Sequence, residues 1–287
     1  MFVSRRLLAA LLFAGFAPGV AGAEEPPAFP PPFLPDVTAT AAPSPSPSPA
    51  PAAAPAEAVP DPTAYLADLS QRALNHRLYE SKRWLYLLHA RPDGAGGYES
   101  EVDGKKFFLA KDGKKSPRAE MLATLAAFVT PPKDAKELPA CRFLARWKFL
   151  DEELHFDPHQ LPAPSCPEYL DWKNEVNAGS VTLVFASAFI GSPASTYGHT
   201  FLRIDKKGID SPLLALAVEF AANPTTFNPI LYSIYGLAGG FEGHFFSRPY
   251  FSKVQEYSNL EARDLWEYRL KLDDDQIDWL IRHLWEL

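Results

Sequence analysis

The residues best suited to chemistry lie between positions 192 and 204, where small and hydroxyl side chains lead through Gly198 into His199. A histidine at the start of a strand can act as a general base, and a preceding glycine lets another group come close. The same spacing also suits a structural histidine that is hydrogen-bonded to a loop carbonyl. His199 is therefore a candidate general base, with the structural role as its alternative.

A general base needs an orienting partner and a nucleophile. Glu219 lies on the next predicted strand and could orient the imidazole, although an edge carboxylate without that role fits equally well. The serines near His199 include Ser187, but none of them lies in a G-x-S-x-G elbow, which argues against a serine hydrolase. Four polar residues are candidates for substrate binding: Ser192, Ser195, Tyr197 and Arg203.

Metal and cofactor chemistry have weaker support in the sequence. His199, Asp205, Glu219 and His244 are residue types that bind metals, but they form no closely spaced ligand pair. The glycine-rich stretch 236–243 follows no predicted strand and lacks the lysine of a phosphate-binding loop. We therefore expect neither a metal nor a cofactor.

The elements that must position these residues change character along the chain. A helical period predicts helices over residues 65–89, 119–129 and 141–154, with a hairpin at 98–109 that turns at Asp103-Gly104. A strand period then predicts strands over 181–185, 199–204, 214–220 and 265–272, and a further short strand that starts at Phe245-Phe246. Further helices are predicted over 228–237 and 249–257, and a last one begins at 273–275. The fold class is therefore α+β.

The amino-terminal region predicts export. Arg5-Arg6, an apolar run over 7–16 and small residues ending at Ala23 form a signal-peptide pattern over residues 1–23. Residues 24–62 are rich in Pro, Ala and Ser and predict an extended, solvated linker. A mainly helical region over 63–165 and an α+β domain over 166–287 follow. The net charge of −7 argues against nucleic acid as a partner.

The only two cysteines, Cys141 and Cys166, are 25 positions apart. In an exported protein such a pair predicts a disulfide, although Cys141 at a helix start could instead be a reactive thiolate. A disulfide would join the helical region to the strand region.

The last predicted helix has its apolar face at Ile277, Leu280, Ile281 and Leu284 and reaches the chain end without a glycine cap or a proline. Trp285 and Leu287 would be left without neighbours there. We therefore expect a sequence that stops inside its domain.

Several motifs resemble the periplasmic domain of the Lnb-type lipoprotein N-acyltransferases. They are residues 180–185, 192–195, 198–204, 239–241, 249–254 and 263–268, with similar stretches upstream at 84–89, 96–100 and 107–109. The resemblance covers residues 65–287. It implies a circularly permuted, papain-like fold of the NlpC type in which His199 matches the histidine of the family.

The resemblance also implies a function. Family members are proposed to form an acyl-thioester and to pass the acyl chain to the amino-terminal cysteine of a bacterial lipoprotein. The family's cysteine is expected beyond Leu287, so this chain would hold the base without its nucleophile and be inactive alone. Glu219 falls where relatives are expected to carry an amide, which leaves its orienting role open.

A lipid acyl donor, a lipoprotein acceptor and the bacterial membrane surface are the implied partners, in the periplasm or cell envelope. The alternatives are a papain-like peptidase or amidase that acts on cell-wall peptide, and a non-catalytic binding module.

Overall fold

The computed structural model describes residues 61–131, 138–189, 198–223, 225–226, 228–238 and 240–287. The α-helices are α1 (Pro62–Asn75), α2 (Lys82–Leu87), α3 (Pro117–Val129), α4 (Pro139–Arg142), α5 (Leu144–Leu154), α6 (Pro167–Val176), α7 (Pro229–Ala238), α8 (Tyr250–Val254) and α9 (Asp274–Glu286). The strands are β1 (Ala90–Pro92), β2 (Tyr98–Ser100), β3 (Ala178–Ala186), β4 (His199–Lys206), β5 (Leu216–Asn223), β6 (Glu242–Pro249) and β7 (Leu265–Arg269). This combination confirms the predicted α+β class. Within the described ranges, no helix has both the length and the apolar character needed to cross a bilayer.

The first region, up to about residue 161, is mainly helical and has a core of its own. Its first helix begins at Pro62 because the Asp61 carboxylate accepts a hydrogen bond from the backbone N–H of Thr63 at 2.9 Å. The single helix predicted over 65–89 is wrong. The chain leaves α1 at Asn75, passes through Arg77 at a φ of 50°, and starts α2 with Ser81 as the N-cap.

The small ribbon lies earlier in the chain than the sequence pattern suggested. Strands β1 and β2 pair across residues 93–97, and the predicted turn at Asp103-Gly104 is wrong. The Asp93 carboxylate accepts hydrogen bonds from the backbone N–H groups of Ala95 and Gly97, which closes the true turn. The hydrogen bonds to the Asp93 side chain therefore determine the position of the hairpin turn, and the Asp-Gly dipeptide at 103–104 does not.

The main sheet has five antiparallel strands in the order β6-β5-β4-β3-β7. β3 and β4 contain the runs predicted at 181–185 and 199–204, whereas β5 begins at Leu216, two residues later than the run predicted at 214–220. β6 includes Phe245-Phe246 but begins three residues before the predicted start, at Glu242. In β4 successive side chains point to opposite faces, so His199, Phe201 and Arg203 share one face while Leu202 and Ile204 share the other.

The apolar face of the sheet packs against α6 and α9, with Val181, Ile204, Val218, Ile277 and Ile281 at the centre. The sequence reading missed α6, although Pro167 at its first turn is a common start of a helix. The other face is covered by α8 and by the π-helical turn Gln255–Leu260 that follows it.

The last helix is firmly packed, which corrects the expectation that its end lacks neighbours. Trp285 lies against the rings of Tyr169 and Trp172 and donates Nε1–H to the carbonyl of Cys141 at 2.8 Å. Leu287 packs against the core of the helical region. The helix therefore joins the helical region to the sheet.

A buried ion-pair cluster strengthens this junction. The Arg146 guanidinium lies 2.6 Å from the Glu120 carboxylate and 3.9 Å from the Glu286 carboxylate, and all three side chains are fully buried. Glu286 also accepts a hydrogen bond from the Arg146 backbone N–H at 2.8 Å. A buried arginine shared by two carboxylates holds α9 on α5, because removal of any member would leave a buried charge without its partner.

Candidate functional site

The site begins at Gly198, the residue directly before β4. Gly198 has a φ of +82°, and a Cβ atom there would lie 2.6 Å from the carbonyl oxygen of Ala186 and 2.7 Å from the ring of Phe185. Only glycine combines this backbone conformation with so close an approach. The glycine thus lets β4 start tight against β3, where His199 pairs with Ala186.

The imidazole of His199 lies on the face of the sheet that α8 covers, and it contacts Glu219. The register Leu202↔Val218, continued toward the start of β4, places Glu219 opposite Phe201 and diagonal to His199 on the same face. Nε2 of His199 lies 3.0 Å from Oε2 of Glu219. An ionised carboxylate only accepts, so Nε2 carries a proton, and the tautomer that fits this contact leaves Nδ1 as the basic nitrogen.

Glu219 is held in place from its other side by Lys253 of α8. The Lys253 ammonium lies 2.7 Å from Oε1 of Glu219, 3.1 Å from the Glu256 carboxylate and 3.5 Å from the hydroxyl of Tyr257. The Lys253 side chain is only 3% exposed. The three ammonium donors therefore have three partners, and each oxygen of the Glu219 carboxylate has a hydrogen-bonding partner, His199 on Oε2 and Lys253 on Oε1.

The charge state of Glu219 follows from this arrangement. Burial by itself would raise the pKa of the carboxyl, but the hydrogen bond from His199 and the charge of Lys253 outweigh it and lower the pKa to about 2. Glu219 is therefore ionised throughout the physiological pH range. It can fix the orientation of the imidazole and stabilise an imidazolium if His199 takes up a proton.

Aromatic and basic side chains frame the pair. The centroid of the Tyr257 ring lies 6.1 Å from that of the His199 ring. The Arg263 guanidinium lies over the Tyr257 ring, 4.6 Å from its centroid. Arg263 also donates to the carbonyls of Ser187 at 2.6 Å and Ala186 at 3.1 Å. Arg263 thus fixes the end of β3 beside His199.

The structure describes only part of the candidate substrate-binding set. Ser192, Ser195 and Tyr197 lie outside the described residues. Arg203 is buried, and its guanidinium pairs with Asp205 at 2.8 Å and with Glu267 at 2.6 Å. These partners favour a structural role for Arg203 over a direct contact with substrate.

The hydroxyl of Tyr250 completes the Arg203 cluster. It donates to the other oxygen of Glu267 at 2.6 Å, and its ring lies under the Arg203 guanidinium at 5.0 Å. Burial, together with the Glu267 carboxylate, raises the pKa of Tyr250 to about 12. Tyr250 therefore stays protonated and fastens α8 to the sheet.

Among the described residues, no serine, threonine or cysteine side chain is a hydrogen-bond partner of the His199 imidazole, whose partner is Glu219. Ser187 forms two hydrogen bonds with the backbone of Asp264. Its Oγ accepts from the Asp264 N–H at 3.0 Å, and its own backbone N–H donates to the Asp264 carbonyl at 2.9 Å. Cys141 and Cys166 are joined with an S–S distance of 2.01 Å, which confirms the predicted disulfide. They belong to the core on the opposite face of the sheet from His199. Since the sequence has two cysteines, no free thiol exists in these 287 residues while the bond is intact.

No group of three or more potential metal ligands occurs in the part of the chain that the structure describes. His244, one of the candidate ligands, lies 3.7 Å from Glu242 on β6. The chemistry of the site is thus that of a histidine, a carboxylate and an ammonium group.

The comparison with protein families decides the identity of this region. Residues 168–287, which carry the whole His199–Glu219–Lys253 cluster, match the family described as the Lnb N-terminal periplasmic domain. Residues 168–287 belong to that family. Upstream of the Lnb domain, residues 76–153 match a domain of unknown function, DUF7843. No curated protein and no solved structure matches the chain. The periplasmic location of the Lnb domain family indicates an exported protein.

Within the Lnb domain, sequence reasoning missed the contribution of Lys253, Tyr257 and Arg263. Lys253 is the lone cation of the segment 249–257, which also carries three aromatic side chains. A lysine on the inner side of a helix that is otherwise aromatic needs a buried carboxylate, and Glu219 was the available candidate. The need to pair Lys253 with Glu219 could therefore have predicted that α8 packs over β5.

Proposed function

We propose that this chain is an Lnb-like exported protein whose Lnb domain is part of a thiol-dependent lipoprotein N-acyltransferase, with His199 as the general base. The observation that carries the proposal is the contact between His199 and Glu219 at 3.0 Å, with Glu219 held in turn by Lys253 at 2.7 Å. A base whose orienting partner is itself held in place is an arrangement that can activate a thiol.

In the proposed reaction, Nδ1 of His199 takes the proton from the thiol of a cysteine. The thiolate attacks the ester carbonyl of a lipid donor, which forms the C–S bond of a thioester and breaks the C–O bond of the lipid. The released oxygen takes the proton back from the imidazolium. The amino group of the lipoprotein acceptor then attacks the thioester, forms an amide and regenerates the thiol. Glu219 stabilises the imidazolium in both halves of this cycle.

The cysteine of this proposal is neither Cys141 nor Cys166, because both are bonded to each other. From the resemblance to the Lnb-type enzymes we infer that the nucleophile is a cysteine downstream of α9. The bonded pair is also the observation that favours the second candidate, a non-catalytic binding module, for a polypeptide of only these 287 residues. In that case the His199 cluster would be a structural network beneath a binding surface.

The test measures acyl transfer by the natural protein in cells. A reporter lipoprotein is purified and the mass of its amino-terminal peptide shows whether the cysteine is N-acylated. His199→Ala should lower acylation at least about a hundredfold, because general-base catalysis contributes about 10²–10⁴. His244→Ala is the matched control, since its imidazole lies on β6 with a 40% exposed side chain. Unchanged acylation with His199→Ala would exclude His199 as the base.

A further inference from the structure

Helix α7 exposes an apolar surface that the cluster around His199 does not use. Four large side chains on it are exposed: Ile230 at 72%, Leu231 at 42%, Ile234 at 52% and Tyr235 at 40%. Positions 230, 231, 234 and 235 lie within an arc of about 140° on a helix with 3.6 residues per turn. They form one face, which we call the α7 face.

The chain around the α7 face carries no side chain that is charged at neutral pH. Residues 220–241, from just after Glu219 to just before Glu242, contain no Asp, Glu, Lys, Arg or His. Protein-binding surfaces usually have an apolar centre with a polar and charged rim. A stretch of 22 residues without a charge instead suits the acyl region of a bilayer, where a charge is costly.

The position of α7 relates it to His199. Continued from Leu202↔Val218 to the start of β4, the register of β4 and β5 brings Ala221 level with His199. β5 ends two residues later at Asn223, which pairs with Glu242 of β6. The segment that contains α7 therefore leaves and re-enters the sheet at the end where β4 begins with His199. A surface that docks on α7 would lie at that end of the sheet.

We propose that the α7 face inserts into the surface of a lipid bilayer and so brings the His199 end of the sheet to the membrane. The helix has ten residues and a length of about 15 Å, half the thickness of the hydrocarbon core, so it lies in the membrane plane and does not span it. Tyr235 is the kind of residue that sits at the level of the headgroups. The inference rests on the proposed function, because it supplies access to a lipid donor.

Charge determines which bilayers the face prefers. The net charge of the chain is −7, so attraction between the whole protein and anionic headgroups is not available to drive binding. Insertion of apolar side chains must supply the affinity. Zwitterionic vesicles should therefore bind the protein at least as well as anionic vesicles, and added salt should not release it.

The test is co-flotation of the full chain with phosphatidylcholine vesicles. Ile230→Glu combined with Ile234→Glu should weaken the partition coefficient about tenfold or more, because two apolar side chains lose their transfer into lipid. Tyr86→Glu is the matched control, since Tyr86 on α2 is also 72% exposed. All variants share the same amino-terminal segment, so only the difference between them reports on α7.

Equal flotation of the α7 double variant and the Tyr86→Glu control would overturn the inference. So would a double variant that loses self-association in solution while its vesicle binding stays unchanged, because a second copy would then cover the α7 face. Circular dichroism melting of each variant shows that the fold is intact. Vesicle binding requires neither an acyl donor nor a cysteine, so it can succeed where acyl transfer fails.

Discussion

Replacement of Glu219 by glutamine changes the centre of the site, and its effect can be measured as a change in the free energy of unfolding. The folded protein lowers the pKa of this carboxyl from 4.5 to about 2. The difference corresponds to about 3 kcal/mol of unfolding free energy when the carboxyl is fully ionised. Glu219→Gln keeps the shape of the side chain but removes its charge, and leaves Lys253 with Glu256 as its acidic partner. At pH 7 we expect a loss of about 3 kcal/mol.

The dependence of this loss on pH has a defined sign. A carboxyl whose pKa is lower in the folded state contributes its full stability above pH 4.5, and loses it as the pH falls toward 2. The contribution of the carboxyl to the difference between the natural protein and Glu219→Gln should therefore be present in full at about pH 5 and above and should shrink below that. Asp278, whose pKa is also lowered to about 2, is present in both proteins and cancels in the comparison.

The assay is urea unfolding followed by tryptophan fluorescence at several pH values between 7 and 3. Glu242→Gln is the control, because Glu242 is 64% exposed on β6 and should change the unfolding free energy by less than about 0.5 kcal/mol. A loss for Glu219→Gln that stays the same down to pH 3, or one as small as that of the control, would refute the reasoning.

Three other changes test neighbouring parts of the account. Gly198→Ala should cost about 2 kcal/mol or more in urea unfolding, because alanine fits neither the φ of +82° nor the space; an unchanged midpoint would contradict the tight start of β4. Cys141→Ser combined with Cys166→Ser should cost about 3 kcal/mol for a loop of 25 positions, and an equal melting temperature would argue against that contribution. In the natural protein, Lys253→Met should raise the pKa of Glu219 and move the acidic limit of the acyl-transfer pH profile upward; a profile of unchanged shape would make Lys253 merely structural.

The strands of the sheet, and His199 and Glu219 as residues of the site, could be predicted from the sequence because local patterns of residues determine them. β-Branched and aromatic runs predicted β3, β4 and β5, and the order of those strands placed Glu219 next to His199. The direction of the Glu219 side chain could not be decided in advance. It depends on the pairing Leu202↔Val218, and a shift of one residue would have turned the carboxylate to the opposite face.

The features that sequence reasoning missed depend on contacts distant in the chain. Lys253 is 34 positions beyond Glu219, and it reaches the carboxylate only because α8 crosses the sheet. Trp285 gains its neighbours from α6, a helix that the proline-rich stretch before it obscured. The true hairpin turn was missed for a local reason, since Asp93 closes it by accepting backbone hydrogen bonds.

Nitrogen-15 NMR of His199 tests the central claim most directly, because it needs neither a substrate nor a nucleophile. In the full chain with labelled histidine, at pH 8, the resonance of His199 is assigned from its loss in His199→Ala. The contact with Glu219 predicts a neutral ring protonated at Nε2 with a bare Nδ1, and a loss of that preference in Glu219→Gln. A ring protonated at Nδ1, or a tautomer that Glu219→Gln leaves unchanged, would contradict the claim that Glu219 prepares His199 to act as a base.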